Sequence, residues 1–203
     1  MFCSRHLLAG VLGLLVACLP PADRPTPADL VRMREGARAL VVVHSRSANT
    51  ARFARGLADQ LEASFIRLEV PARAGDGFWR TPNRHRAVDF KPRQVDLSGY
   101  DLVLLGCPIW YWRPTAFIYA FIKAHDLTGK RVVLFYTYET SVSDGAHAEW
   151  TQLVADRGGK VVDIVPINRR QLERQPGTVS LEEAAARIVR ARAATRWAAP
   201  LVR

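Results

Sequence analysis

Short apolar runs alternate along the chain with segments whose apolar residues recur at helical spacing. Ala39–Val43 is a continuous apolar run typical of a strand buried on both faces, and Asn49–Glu62 carries its apolar residues on one helical face. The same patterns predict further strands over 65–70, 102–105, 131–136 and 161–165. They predict further helices over 114–124, 146–156 and 180–195. Repeated β-α units predict an α/β fold, with a doubly wound five-stranded parallel sheet and helices on both faces.

The first segment of the chain, residues 1–17, has the layout of an export signal. A positive start is followed by an apolar run over 7–17, which is shorter than the about 20 residues needed to cross a bilayer. The run ends Leu-Val-Ala-Cys18, which resembles a bacterial lipoprotein box with Cys18 as the lipidated residue. An ordinary signal peptide and an uncleaved anchor are the alternatives.

The next segment, residues 18–34, is dense in proline, which disfavours helix and favours an extended tether. The remaining residues, 35–203, form the predicted folded domain. Together these segments predict an exported protein, held by a lipid anchor on the periplasmic or extracellular face of a bacterial cell membrane or outer membrane.

The composition is that of a globular protein with a strong positive charge. Hydrophobic residues make up 49% of the chain and charged residues 24%, which excludes wholesale disorder. The formal net charge is +10, so an acidic redox partner or anionic lipid is an expected partner. No helix-turn-helix, zinc finger or RNA-binding signature is present, so nucleic acid is not expected. The spacing of the cysteines predicts neither a zinc site nor a disulfide framework.

Three loops after predicted strands are expected to converge at one edge of the sheet, and the third of them, 137–145 after the fourth strand, is polar and contains one aromatic ring. The loop after the first strand, 44–50, is rich in hydroxyl side chains and leads into a helix, which is an arrangement suited to an anion. A capped helix without a ligand is the alternative. The loop after the third strand, 106–114, contains three adjacent aromatic residues that cannot all enter one core. Flat rings there can stack on a planar ligand, although one or two of them are also expected to pack under the next helix.

These loops are expected to face each other at one edge of the sheet. In the strand order 2-1-3-4-5, strands one and three are neighbours, and ligands of doubly wound sheets bind at that reversal point. A site that binds a phosphate on one side and contacts a flat ring on the other predicts a planar phosphorylated cofactor. FMN meets both requirements.

The chain resembles the flavodoxin-like family from about Ala39 to Asn168. The segment 45–50 is similar to the family's FMN phosphate loop, 100–110 to its third strand and flavin-stacking loop, and 129–135 to its fourth strand. The resemblance implies that the phosphate loop binds FMN through Ser45, Arg46, Ser47, Ala48, Asn49 and Thr50. It implies that the flavin ring is flanked by Pro108, Ile109, Trp110, Tyr111 and Trp112, and that its pyrimidine edge meets Thr137 and Tyr138.

The chain departs from the family pattern at several of these positions. Ala48 replaces the usual glycine, and Trp112 stands where many relatives have a glycine that lets the backbone reorient. Tyr138 and Glu139 stand where small residues are common, and Glu139 could repel a reduced, anionic flavin. The net charge is basic, whereas flavodoxins are usually acidic.

Three functional hypotheses follow. The first is an FMN-dependent redox protein that transfers electrons or reduces a small acceptor such as a quinone, since the flavin would carry out the chemistry. The second is a flavodoxin-fold binding module that has lost FMN, suggested by the bulk of Trp112 and Tyr138. The third is a hydrolase, since Cys107 and Arg113 have the Cys-x5-Arg spacing of cysteine phosphatases, although Pro108–Trp112 is poorly suited to wrapping a phosphate. His44 is a further candidate base, but a lone histidine beside a loop is more often incidental.

Overall fold

Five parallel strands form the centre of the sheet, in the predicted order. The computed structural model describes residues 30–70, 88–174 and 179–197. Its strands are β1 Val31–Arg32, β2 Ala39–Val43, β3 Ser64–Arg67, β4 Leu102–Trp110, β5 Arg113–Pro114, β6 Arg131–Tyr138 and β7 Lys160–Asn168. The order across the sheet is β1-β3-β2-β4-β6-β7, with β5 paired to β4. Strands β2, β3, β4, β6 and β7 are parallel to their neighbours in this group, so along the chain they have the order 2-1-3-4-5. The predicted flavodoxin-like sheet is confirmed.

Helices cover both faces of this sheet. They are α1 Asn49–Gln60, α2 Ala116–Ala124, α3 Ala146–Ala155, α4 Arg169–Arg174 and α5 Leu181–Arg192, which continues as a π-helical turn over Ala193–Trp197. Every predicted helix is present, and α5 begins at the predicted cap, where Ser180 Oγ accepts a hydrogen bond from the Glu183 amide. Helix α4 was not predicted, because its six residues hold one apolar side chain, Leu172, and therefore show no periodicity.

The hydrophobic core forms one layer on each side of the sheet. Val41 and Val43 of β2 face the layer that contains α1 and α5, whereas Leu40 and Val42 face the layer that contains α2 and α3. This alternation explains why β2 is apolar at every position. Gly106 of β4 is needed for packing, since a Cβ there would lie 2.0 Å from the Phe135 ring.

An antiparallel edge strand, β1, extends the sheet beyond the predicted domain boundary. Val31 pairs with Ile66 and Arg32 pairs with Phe65, so the end of the predicted tether 18–34 belongs to the sheet. The last proline before this strand is Pro27, so the strand residues Val31 and Arg32 both carry the N–H group that pairing requires. The predicted signal peptide 1–17 and Cys18 lie outside the described residues. Within the described ranges, no helix combines the length and apolarity needed to cross a bilayer.

A buried carboxylate joins the end of the chain to the sheet. Asp163 of β7 has a side chain that is 3% exposed. It accepts hydrogen bonds from Trp197 Nε1 at 2.9 Å and from Arg192 Nη1 at 3.0 Å, and Arg196 Nη1 lies 3.3 Å from it. The π-helical turn is thereby fixed against β7, on the face of the sheet that α1 also covers.

Candidate functional site

Strands β4 and β6 run further than the sequence predicts, and this changes the character of the site. Pairing of β4 with β6 continues to Pro108 and Thr137, and pairing of β6 with β7 continues to Tyr138. The sequence predicts that five of the candidate ligands lie in loops, but the structure places all five in strands: Pro108, Ile109, Trp110, Thr137 and Tyr138. Because ladder hydrogen bonds fix a strand more firmly than a loop, these side chains are presented from a rigid frame.

A tight hairpin follows β4 and presents two aromatic side chains. Ile109 pairs with Pro114 and Trp110 with Arg113, which leaves Tyr111 and Trp112 as a two-residue turn. Their φ angles are 50° and 63°, the left-handed values that a type I′ turn requires at both central positions. Such turns favour asparagine and glycine, and two bulky aromatic residues there hold a costly backbone conformation.

The hairpin is also joined to the segment that follows β6. The Ser143 amide donates a hydrogen bond of 2.8 Å to the Trp112 carbonyl. Trp112 nevertheless has 57% of its surface exposed and Tyr111 has 37%. The two rings therefore stand at the edge of the protein and do not fill its interior.

The hydroxyl-rich loop between β2 and α1 has open hydrogen-bonding groups at the start of the helix. Ala48 precedes α1 with a φ of 61°, and no side chain caps the helix. The Ser45 hydroxyl is buried and has no hydrogen-bond partner within the described residues. Arg67, at the end of β3, donates from Nη2 and Nε to the Ser45 carbonyl at 2.8 and 3.3 Å. A guanidinium thus supports the loop that leads into α1, and the start of that helix is suited to an anion.

One cavity of about 490 Å³ lies between the loop and the hairpin. Ten of the residues that the sequence predicts to bind the cofactor line this cavity: Ser47, Asn49, Thr50, Pro108, Ile109, Trp110, Tyr111, Trp112, Thr137 and Tyr138. Ser45, Arg46 and Ala48, which were also predicted to bind the cofactor, do not line it. Four lining residues were not predicted as ligands: Glu139, Thr140, Ser141 and Arg169.

The unpredicted residues introduce an ion pair at the cavity. Arg169 Nη1 donates to Glu139 Oε1 at 2.8 Å, and Arg170 Nη2 lies 3.8 Å from Glu139 Oε2. Glu139, Thr140 and Ser141 belong to the polar segment that follows the fourth parallel strand, which the sequence marks as part of the site. The signal for Arg169 is weaker: it is one of two adjacent arginines that directly follow the last strand.

His44 lies buried at the end of β2. Its Nδ1 is 3.0 Å from Thr115 Oγ1, and its ring contacts Trp110 edge-on, with the centroids 5.3 Å apart. Burial and, to a lesser extent, the positive charge of Arg67 lower the pKa of His44 to about 3. A neutral buried imidazole that packs against a cavity-lining indole is a structural support rather than a base.

The hydrolase hypothesis is contradicted by the environment of Cys107. The thiol is fully buried in β4, and burial raises its pKa to about 12, although the Thr115 amide donates a hydrogen bond to the sulfur at 3.4 Å. Arg113 Nη1 is engaged with Glu149 at 2.7 Å. A protonated thiol within a strand is a poor nucleophile and cannot form the center of a phosphate-binding loop.

A family model described as flavodoxin matches residues 38–163. The chain belongs to the flavodoxin family. This flavodoxin-family match covers most of the region, from Ala39 to Asn168, in which the sequence resemblance was found. The cavity lies at the carboxyl ends of β2, β4 and β6, and β2 and β4 are the strands at which the chain order reverses.

Solved structures show the same fold. A flavoprotein of Bacteroides uniformis ATCC 8492 has a TM-score of 0.59 at 19% identity, over 77% of this chain and 99% of that one. A flavoprotein of Bacteroides eggerthii DSM 20697 has a TM-score of 0.56 at 21% identity, over 76% of this chain and 96% of that one. A flavoprotein of Lactobacillus acidophilus NCFM in complex with FMN has a TM-score of 0.51 at 16% identity, over 64% of this chain and 93% of that one. The comparison with curated proteins finds no match.

Proposed function

We propose that this flavodoxin-family protein binds FMN in the cavity and acts in electron transfer or in the reduction of a small acceptor such as a quinone. The observation that carries the proposal is the pairing, across one cavity, of an uncapped helix start with a cluster of aromatic side chains. The cavity volume of about 490 Å³ lies within the range of small-molecule sites. A neighbour of the same fold binds FMN, which supports the choice of ligand.

The phosphate end of FMN fits the loop between β2 and α1. Ser47, Asn49 and Thr50 line the cavity there. The Asn49 amide already donates to the Ser47 carbonyl at 2.8 Å, but the first turn of a helix carries further amides without intrahelical partners, which can donate to an anion. Arg67 adds positive charge behind the loop.

The ring end of FMN fits the aromatic hairpin. Trp110, Tyr111 and Trp112 supply flat surfaces, and Thr137 and Tyr138 offer polar groups at the opposite wall. When bound, FMN would supply the electron-transfer chemistry. The protein's own groups would hold the ring, exclude water from it and leave one edge open beside the exposed Trp112.

The alternative, a binding module without FMN, rests on the bulk of Trp112 and Tyr138. The position of Trp112 weighs against it, because a ring that is 57% exposed leaves the cavity open. A titration decides between the two hypotheses.

The experiment is a titration of the purified chain with FMN and with riboflavin, followed by flavin fluorescence and the visible spectrum. We expect Ser47→Ala and Thr50→Ala to weaken FMN binding about tenfold each, since each removes a hydrogen bond to a charged phosphate. Riboflavin, which lacks the phosphate, should be affected far less. Ser98→Ala, an exposed serine that does not line the cavity, is the control. A colourless protein that binds neither flavin contradicts the proposal and favours the binding module.

We also propose that the protein is exported and anchored by lipid at Cys18, where it would meet an acidic redox partner or a membrane-dissolved acceptor. This proposal rests on the sequence of residues 1–34 and on the net charge of +10. Mass spectrometry of the membrane fraction should find a lipidated Cys18 at the mature amino terminus. An unmodified Cys18 in that fraction would contradict the anchor.

A further inference from the structure

An ion pair at the edge of the cavity is fixed by the register of the sheet. Tyr138 of β6 pairs with Asn168 of β7 at the ends of the two strands, and Glu139 and Arg169 are the residues that directly follow. Parallel strands in this register bring the two side chains together, and Arg169 Nη1 donates to Glu139 Oε1 at 2.8 Å. Both residues line the cavity.

Three charged side chains meet at this edge. Glu139 and Arg169 are the charged residues of the cavity lining within the described ranges. Arg170 lies beside the same carboxylate, with Nη2 at 3.8 Å from Glu139 Oε2. Two guanidinium groups therefore contact the Glu139 carboxylate, so a ligand at this edge would meet positive charge as well as the charge of Glu139. The expectation that Glu139 would repel an anionic flavin leaves these two arginines out of account.

We propose that Arg169, oriented by Glu139, makes the cavity bind reduced FMN more tightly relative to oxidised FMN, and so raises the reduction potential of the bound flavin. This inference rests on the proposed function. Two-electron reduction consumes two electrons and one proton from the donor and solvent and leaves one added negative charge on the ring. Arg169 transfers neither the electrons nor the proton; its charge stabilises the product.

Arg169 and Arg170 differ in how far their side chains are exposed to solvent. The Arg169 side chain is 28% exposed and faces the cavity, whereas the Arg170 side chain is 55% exposed and does not line it. Solvent screening weakens charge interactions as exposure rises, so Arg169 should dominate. We expect Arg170→Gln to shift the potential less than Arg169→Gln.

The test compares Arg169→Gln and Glu139→Gln in the full-length chain, with the potential of bound FMN measured by dithionite titration against a reference dye. Arg169→Gln should lower the affinity for reduced relative to oxidised FMN about tenfold, which is about 30 mV for a two-electron couple. Glu139→Gln should shift the potential in the opposite direction, since it removes the negative charge. If the pair only held the segment after β6 in place, both variants would break it and shift the potential alike.

Arg187→Gln is the matched control, because Arg187 forms an ion pair of 2.6 Å with Glu183 on α5 and does not line the cavity. A shift in Arg169→Gln no larger than in Arg187→Gln, or shifts of the same sign in Arg169→Gln and Glu139→Gln, would overturn the inference while leaving FMN binding intact. If the native chain binds no FMN, the proposed function fails, and the inference fails with it. FMN affinity in the oxidised state, measured in the same samples, distinguishes these cases.

Discussion

Thr50 and Thr137 share a hydrogen bond of 2.7 Å between their Oγ1 atoms, although 87 residues separate them in the chain. Thr50 lies in the first turn of α1, and Thr137 lies near the end of β6. Both are buried, with 1% and 4% of their surface exposed. The hydroxyl-rich loop and the far wall of the cavity are therefore held together by one polar contact. Both residues line the cavity.

Removing both of these hydroxyls should cost less than the sum of the costs of removing each one alone. Thr50→Val or Thr137→Val keeps the shape of the side chain and leaves the other hydroxyl buried without its partner. We expect each single variant to lower the free energy of unfolding by about 1–2 kcal/mol, and the double variant to cost clearly less than the sum. Urea unfolding, followed by circular dichroism, measures all four proteins. A double variant equal to the sum would show that the two hydroxyls contribute independently.

The left-handed hairpin turn reverses the usual ranking of glycine and alanine. At a φ of 63°, the Cβ of residue 112 is disfavoured, whereas glycine adopts this conformation freely. We therefore expect Trp112→Gly to be more stable than Trp112→Ala by about 1 kcal/mol, as judged from urea unfolding. Both variants lose the exposed indole, so loss of the ring cannot explain a difference between them. If the alanine variant is the more stable one, the turn carries no strain at this residue.

The sequence predicted the sheet better than it predicted the site. Buried strands such as β2 are apolar throughout, so their order and type could be inferred from hydrophobic runs. The extension of β4 to Trp110 has no such signal, because its pairing with β6 depends on contacts between distant residues. Arg169 was missed for the same reason: it reaches the cavity through the register of β7 with β6, and no local motif marks it.

The buried carboxylate of Asp163 should stabilise the end of the chain. Burial raises the pKa of Asp163, but hydrogen bonds from Trp197, Arg192 and Arg196, together with the charge of Arg192, outweigh this and leave the pKa below its usual value. Because the folded pKa is the lower one, the stabilisation is complete above the unfolded pKa of about 3.9 and is lost as the pH falls through the folded value. The ionised carboxylate is therefore stabilising at neutral pH.

We expect Asp163→Asn to lower the free energy of unfolding by about 1–3 kcal/mol at pH 7, because the amide cannot accept from all three donors. The difference from the native chain should shrink as the pH falls below the unfolded pKa of about 3.9 and toward the lower folded pKa. Asp156→Asn, at the exposed end of α3, is the control and should have little effect. An equally stable Asp163→Asn protein at pH 7 would show that the contacts to Trp197 and Arg192 do not hold the end of the chain.

His44 should make the protein less stable in mild acid. Its folded pKa of about 3 lies below the value of 6.5 for an unfolded chain, so the unfolded state binds the proton first as the pH falls. The stabilisation is complete above about pH 6.5 and is lost progressively toward pH 3. Between pH 7 and pH 5 we expect a loss of about 2 kcal/mol from this group alone.

The matching experiment compares His44→Gln with the native chain at both pH values by urea unfolding. Glutamine does not titrate, so the variant should lack this loss of about 2 kcal/mol, whatever its stability at pH 7. Because the two proteins share every other titrating group, the difference in slope isolates His44. Equal slopes for the native and His44→Gln proteins would mean that the imidazole remains open to protons, and that Trp110 packs against a group with access to water.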